Sequence, residues 1–192
     1  MGKSGEWHLR EEEKSIMDLP YVDSRDAEQY WEYQDSIAAA RNDIIPFLQG
    51  VWSKLFLEWG EDAIHTKELQ DAIWKASTVM LPNLEVQVVI DGKNRAHISS
   101  GTSGYVSFLQ QPIGLSVPIK CWFHTHPFGA AYFSGTDWST VIPWTPLMSC
   151  AYVIGGDDHY GFWSNLRPNE LEIKQKDGSW TNQYYTKAGE EE

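Results

Sequence analysis

Residues 121–140 read CWFHTHPFGAAYFSGTDWST, a stretch that predicts the end of a strand, a loop and the start of a helix. His124 and His126 are two positions apart, so on a strand they point to the same face of the sheet. Asp137 follows eleven residues later, at the start of the predicted helix. The two imidazoles and the carboxylate can therefore converge on one metal ion.

Two imidazoles and one carboxylate form a typical catalytic zinc set, in which the fourth position is left for water. We therefore predict one Zn²⁺ per chain, held by His124, His126 and Asp137. Ser134 precedes Asp137 by three residues, and its hydroxyl can donate to an oxyanion near the metal. The same spacing is also that of a helix capping box, so both roles stay open.

Glu85 is the candidate general base, which would take a proton from water and pass it to a leaving amine. It lies in LEVQVVID, residues 84–91, which predicts a strand after the break at Pro82 and Asn83. The alternative is that Glu85 is an ordinary exposed strand residue.

The pattern H-x-H-x7-S-x-x-D, followed here by His124, His126, Ser134 and Asp137, resembles the motif of the JAMM (MPN+, JAB1-type) metalloproteases. The upstream sequence AIWKASTVMLPNLEVQVVIDG is similar to that family's helix, proline-containing turn and strand opening with the catalytic glutamate, which implies that role for Glu85. The resemblance covers roughly residues 66–165.

Two departures distinguish the chain from the family pattern. Val86-Gln87-Val88 stands where family members often have a cysteine and a glycine after the glutamate. Phe133 stands where a proline often precedes the motif serine. Neither departure removes a metal ligand.

The resemblance implies a zinc-dependent hydrolase acting on a peptide or isopeptide bond, with a ubiquitin-like conjugate or precursor as the favoured substrate. Glu85 would deprotonate the attacking water and protonate the departing amine, while zinc and Ser134 stabilise the oxyanion. Three alternatives stay open. They are a hydrolase of peptidoglycan or small peptide amides, a non-catalytic scaffold or binding module of the same fold, and a RadC-like protein in a DNA-associated context.

The charge balance of 15 Lys+Arg against 27 Asp+Glu gives −12, which disfavours binding to nucleic acid or to an anionic membrane. No apolar run approaches the roughly 18 residues of a spanning helix. The N-terminal sequence lacks the apolar core of a secretory signal, and Cys121 and Cys150 are too few for a disulfide framework. We therefore expect a cytoplasmic protein in which these two cysteines are core thiols.

The order of the predicted elements indicates an α+β fold, with helices first and then a mixed, mostly antiparallel sheet flanked by helices. The family resemblance adds the JAMM/MPN-like, cytidine-deaminase-like arrangement of that sheet. We predict a flexible acidic N-terminus over 1–20, a helical extension over 21–65, a JAMM-like domain over 66–185 and a flexible tail over 186–192.

Within the extension, Pro46 is expected to separate a helix beginning near Ser24 from a second helix over residues 47–58. The aromatic residues of these helices favour packing, and the functional alternative is a surface that binds a protein partner. They are Trp31, Tyr33, Trp52, Phe56 and Trp59.

Further strands are predicted at 95–100 and 105–110, and hairpins at 149–163 and 171–185. His159 lies in the first hairpin beside two aspartates, where a solvated turn is favoured over a metal site with Asp157 and Asp158.

Overall fold

A computed structural model describes residues 24–104, 106 and 114–186 of the chain. The chain divides into two compact units, Met1–Ser36 and Ile37–Glu192. In the first unit the described residues form the beginning of one helix. All the elements that carry the candidate site belong to the second unit.

Helix α1 runs without interruption over Ser24–Trp59 and contains Pro46, so the predicted break at this proline is wrong. A proline in a helix removes one backbone hydrogen bond. Here the helix continues because its buried stripe lies on both sides of the proline, with Ile44 before it and Leu48 and Trp52 after it. The free energy gained by burying this apolar stripe exceeds the cost of one lost backbone hydrogen bond.

After α1, the chain turns at Gly60, whose φ is +60°, and forms a 3₁₀ helix over Gly60–His65. Helix α2 follows over Lys67–Lys75 and is extended by a π-helical turn over Ala76–Met80. The Thr66 side chain accepts a hydrogen bond from the Leu69 N–H and so caps α2.

Within the described residues seven strands form one sheet: β1 (Val86–Ile90), β2 (Ala96–Ser100), β3 (Ile119–Thr125), β4 (Met148–Gly156), β5 (His159–Ser164), β6 (Glu170–Lys174) and β7 (Trp180–Tyr184). Their order in the sheet is β2-β1-β3-β4-β5-β6-β7. β3 and β4 pair in parallel, and the other neighbours are antiparallel. Helix α3, Gly135–Trp144, connects the two parallel strands. The α+β class and the mostly antiparallel sheet are therefore confirmed.

Helices cover both faces of the sheet in the second unit. One face packs against the second part of α1 and against α2, and it includes Cys121, Phe123 and Cys150. The other face packs against α3 and includes Trp122 and Val153. Strand alternation thus places His124 on the α3 side and the two free, buried cysteines on the opposite side, where they act as core thiols.

The aromatic residues of α1 divide into two groups. Trp52 is buried and Phe56 is partly buried, so packing explains these two side chains. Trp31, Tyr33 and Trp59 are exposed, so packing does not explain them.

Three predictions fall wholly or mostly on residues that the structure leaves undescribed. They are the flexible segment 1–20, the tail 186–192 apart from Thr186, and the strand 105–110 apart from Val106. The predicted domain boundaries stay predictions. Within the described ranges, none of the helices is both long enough and apolar enough to cross a bilayer.

Candidate metal centre

The three predicted ligands meet at the end of β3. His124 lies on β3, and the His126 N–H donates to the Ile154 carbonyl over 2.8 Å, which extends the pairing of β3 with β4 by one step. Asp137 lies in the first turn of α3. One ligand atom from each residue lies within 4.8 Å of the other two, and this is the one such group among the described residues.

The ring of His126 is oriented by the loop that follows it. Nδ1 donates to the Ala130 carbonyl over 2.8 Å, which leaves the Nε2 lone pair free for a metal ion. Nε2 lies 3.5 Å from Asp137 Oδ2. Burial works to lower the pKa of His126, but the carboxylates of Asp137 and Glu85 outweigh it and raise that pKa.

His124 is almost fully buried, and in the described part of the chain neither of its ring nitrogens has a hydrogen bond of good geometry. Nε2 lies 3.2 Å from Asp137 Oδ1, and the ring stacks on Trp122 with centroids 4.3 Å apart. Burial lowers the pKa of His124 against the opposing effect of Asp137, so the neutral, metal-binding form is favoured. Buried polar atoms normally have partners, and a bound cation would supply one here.

Trp122 is held in place from the neighbouring strand, because its Nε1 donates to Gln87 Oε1 over 3.0 Å. Gln87 also donates through Nε2 to the Ser99 hydroxyl on β2. The stack on His124 is thus supported from two strands. Strand alternation alone puts Trp122 on the same face as His124, but it does not predict the hydrogen bonds that hold Trp122.

Asp137 and Ser134 form the capping box. Both the backbone N–H and the hydroxyl of Ser134 donate to Asp137 Oδ2 over 2.7 Å, and the Asp137 N–H donates back to Ser134 Oγ over 3.2 Å. Burial works to raise the pKa of Asp137, but His124, His126 and Ser134 hold it far below its usual range. Asp137 is therefore an anion at neutral pH, as a metal ligand requires.

Glu85 lies immediately before β1 and is only 6% exposed, so it is not an ordinary exposed strand residue. Its backbone is fixed by bonds to Thr102 and Gly101. Burial raises the pKa of Glu85 to about 7, while the charge of His126 and the N–H of Val106 work against that rise. A carboxyl group with this pKa can both accept and release a proton near neutral pH.

A hydroxyl chain joins the Glu85 strand to the ligand strand. The Val86 N–H donates to Thr125 Oγ1 over 2.9 Å, and the Thr125 hydroxyl donates to Ser77 Oγ over 2.9 Å. Thr125 stands between the two histidines and faces the other side of the sheet. Strand alternation predicts that the Thr125 side chain points away from the two histidines, but it does not predict the hydrogen-bond partners of Thr125.

A cleft of about 500 Å³ brings the candidate groups together. Glu85, His126, Ser134 and Asp137 all contribute to its wall, while His124 is buried behind it. The remaining wall combines aromatic side chains with small polar ones. It includes Trp122, Phe128, Tyr132, Trp144, Thr136, Ser139 and Thr140.

His159 is buried at the start of β5, so the predicted solvated turn is wrong for this residue. Its Nδ1 donates to the Lys174 carbonyl over 2.9 Å, and its Nε2 accepts from the Ala131 N–H over 3.3 Å. His159 thus links the loop after His126, through Ala131, to Lys174 on β6. Asp157 and Asp158 are exposed and do not join it in a metal-binding group.

The donor set, two imidazoles and one carboxylate, is one that zinc commonly binds. His124 Nε2 lies 3.2 Å from Asp137 Oδ1 and His126 Nε2 lies 3.5 Å from Asp137 Oδ2, so the three side chains are close enough to share one metal ion. Comparison of the chain with protein-family models, curated proteins and solved structures gave no match. The chemistry of the site is therefore the basis for inferring a function.

Proposed function

We propose that this protein is a zinc-dependent metallohydrolase of the JAMM type that cleaves a peptide or isopeptide bond. The observation that carries the proposal is the convergence of His124, His126 and Asp137 beside a buried carboxyl, Glu85, on one cleft. The motif spacing described above supports the family assignment. A ubiquitin-like conjugate or precursor is the substrate class that the resemblance favours.

In this proposal His124, His126 and Asp137 would hold the zinc ion. When bound, zinc supplies Lewis acidity, which lowers the pKa of water towards neutrality and polarises a carbonyl group. The hydrogen bond from His126 Nδ1 to Ala130 fixes the ring that faces the cleft. The stacking of Trp122 fixes the ring of His124 behind it.

Glu85 accepts the proton of the attacking water and later delivers it to the amine that leaves. In the metal-free chain burial raises the pKa of Glu85 to about 7, so this carboxyl is more basic than an exposed glutamate and can both accept and release a proton. The Ser134 hydroxyl donates to Asp137 in the free protein. A hydroxyl can rotate about its C–O bond, so Ser134 can donate instead to the oxyanion that develops on the substrate carbonyl.

The first experiment is the zinc content of the purified full-length chain, measured by mass spectrometry. The wild type is compared with His126→Ala and Asp137→Ala, and with His65→Ala as a control at an exposed histidine outside the site. We expect one zinc per chain in the wild type and the control, and loss of zinc in both ligand variants. A zinc-free wild type after growth in zinc-replete medium would overturn the hydrolase proposal.

The second experiment separates the reaction classes. The zinc-loaded protein is incubated with isopeptide-linked ubiquitin-like conjugates, linear peptides and peptidoglycan fragments, beside Glu85→Gln. We expect cleavage of an isopeptide or peptide bond by the wild type, and a zinc-loaded but inactive Glu85→Gln protein. Cleavage confined to peptidoglycan fragments would reassign the substrate, and zinc binding without any hydrolysis would make the protein a scaffold.

A further inference from the structure

A single side-chain amide from the last strand holds the loop that leads to Asp137. Gln183 on β7 accepts a hydrogen bond through Oε1 from the Phe133 N–H over 2.8 Å. Its Nε2 donates to the Phe133 carbonyl over 2.9 Å. The first of these bonds needs an N–H at position 133, which a proline in the family pattern would lack.

Phe133 lies between the elements that supply the metal ligands. Its ring is buried and lies 5.8 Å from the ring of His124 and 5.1 Å from that of Trp138, centroid to centroid. The next residue, Ser134, caps α3 through Asp137. A small displacement of the Phe133 backbone would therefore change the positions of both His124 and Asp137.

We infer that Gln183 is a positioning residue of the metal centre: it touches no ligand, and it sets the distance between His124 and Asp137 through Phe133. The inference rests on the proposed function, because it assumes that the His124–His126–Asp137 group holds zinc. Groups that orient metal ligands from outside the coordination sphere typically contribute 10–100-fold to metal affinity. The two hydrogen bonds also fix the orientation of the Gln183 amide, since a flipped amide would lose both of them.

The test compares Gln183→Met with Asn182→Leu in the full-length protein. Methionine keeps the length of glutamine without its hydrogen bonds. Asn182 lies on the same strand, is exposed, and bonds to Glu170 rather than to the loop. The measurements are the zinc Kd by competition with a chelator, the visible d–d absorption of the Co²⁺-loaded protein, and thermal unfolding of the metal-free protein.

We expect Gln183→Met to raise the zinc Kd roughly 10–100-fold and to shift the cobalt absorption bands. We expect Asn182→Leu to leave both unchanged. Wild-type affinity and spectrum in Gln183→Met would overturn the inference. Equal losses in the two variants would also overturn it, because they would reflect general destabilisation of β7.

The outcomes also separate this inference from the proposed function. A wild type that binds neither Zn²⁺ nor Co²⁺ overturns both, whereas a metal-binding wild type with an unaffected Gln183→Met overturns the inference alone. If Gln183→Met fails to fold, Gln183→Glu replaces it, since glutamate keeps the acceptor for the Phe133 N–H and loses the donor to its carbonyl. An intermediate loss of zinc affinity is then expected, and wild-type affinity would contradict the inference.

Discussion

Ser134 donates both its backbone N–H and its hydroxyl to one oxygen of Asp137, Oδ2, over 2.7 Å in each case. The other oxygen, Oδ1, faces His124 Nε2 at 3.2 Å. His126 Nε2 lies 3.5 Å from Oδ2, the oxygen that the cap uses. The cap thus fixes the orientation of the carboxylate that faces both histidines, and helix capping is compatible with a role of Asp137 as a metal ligand.

Ser134→Ala is expected to reduce both stability and activity. The substitution removes the acceptor for the Asp137 N–H, and loss of an N-cap side chain costs about 0.5–2 kcal/mol in the free energy of unfolding. If Ser134 also supports the oxyanion, kcat falls roughly 10²–10³-fold. Urea denaturation and steady-state kinetics measure the two effects, with Ser134→Thr as the variant that keeps the hydroxyl. An unchanged kcat in Ser134→Ala would remove the oxyanion role.

Glu85→Gln is expected to change how the stability of the metal-free protein depends on pH. Burial raises the pKa of Glu85 to about 7 from an ordinary 4.5, so between these values the folded chain holds a proton that the unfolded chain has released. The folded state then binds more protons, and its stability falls as pH rises through this window. Glutamine does not titrate, so the variant gains stability relative to the wild type, most above pH 7.

Urea midpoints between pH 4 and 8, in the presence of a chelator, measure this difference. A constant difference between Glu85→Gln and wild type across the window would contradict the raised pKa of Glu85.

Gly155→Ala is expected to disturb the loop that orients His126. A Cβ at Gly155 would lie 2.7 Å from the backbone of both Ala130 and Ala131, so the loop must move. We expect a loss of about 1–3 kcal/mol in stability and weaker zinc binding, because the Ala130 carbonyl holds His126 Nδ1. Gly50→Ala in α1 is the control: its Cβ meets nothing within 4 Å, and stability should rise by about 0.5–1 kcal/mol.

Thermal unfolding and zinc competition measure the two glycine variants. Unchanged zinc affinity in Gly155→Ala would show that the position of the Ala130 carbonyl does not control the metal site.

His159→Leu is expected to weaken zinc binding from a position outside the site. Leucine leaves the Ala131 N–H and the Lys174 carbonyl without their partner, and an unsatisfied buried group costs about 1–3 kcal/mol. His159→Gln keeps a polar atom that can accept from Ala131 and should retain more of the zinc affinity. Equal zinc affinity in the two variants, measured by chelator competition, would assign His159 to packing alone.

Much of the site was predictable because it depends on local periodicity. The alternation of His124 and His126 on a strand, and the three-residue spacing from Ser134 to Asp137 at a helix start, each fix a geometry within one element. The α+β class and the strand positions that the structure describes follow from the same kind of short-range signal.

Other features depend on partners that the local pattern does not contain. The buried stripe of α1 carries the helix through Pro46, and that stripe exists only because the sheet lies against it. Burial converts Glu85 from an ordinary carboxyl into one with a pKa of about 7.

The sequence by itself determined which residues form the candidate metal-binding group and which element carries each of them. The tertiary structure alone decided how they are held: Gln183 reaches Phe133 across 50 residues, and His159 reaches Ala131 across 28. Such contacts arise when strands distant in sequence become neighbours. The periodicities of 2 and 3.6 residues predict strands and helices but not which strands are adjacent, because adjacency depends on the order of the strands in the sheet.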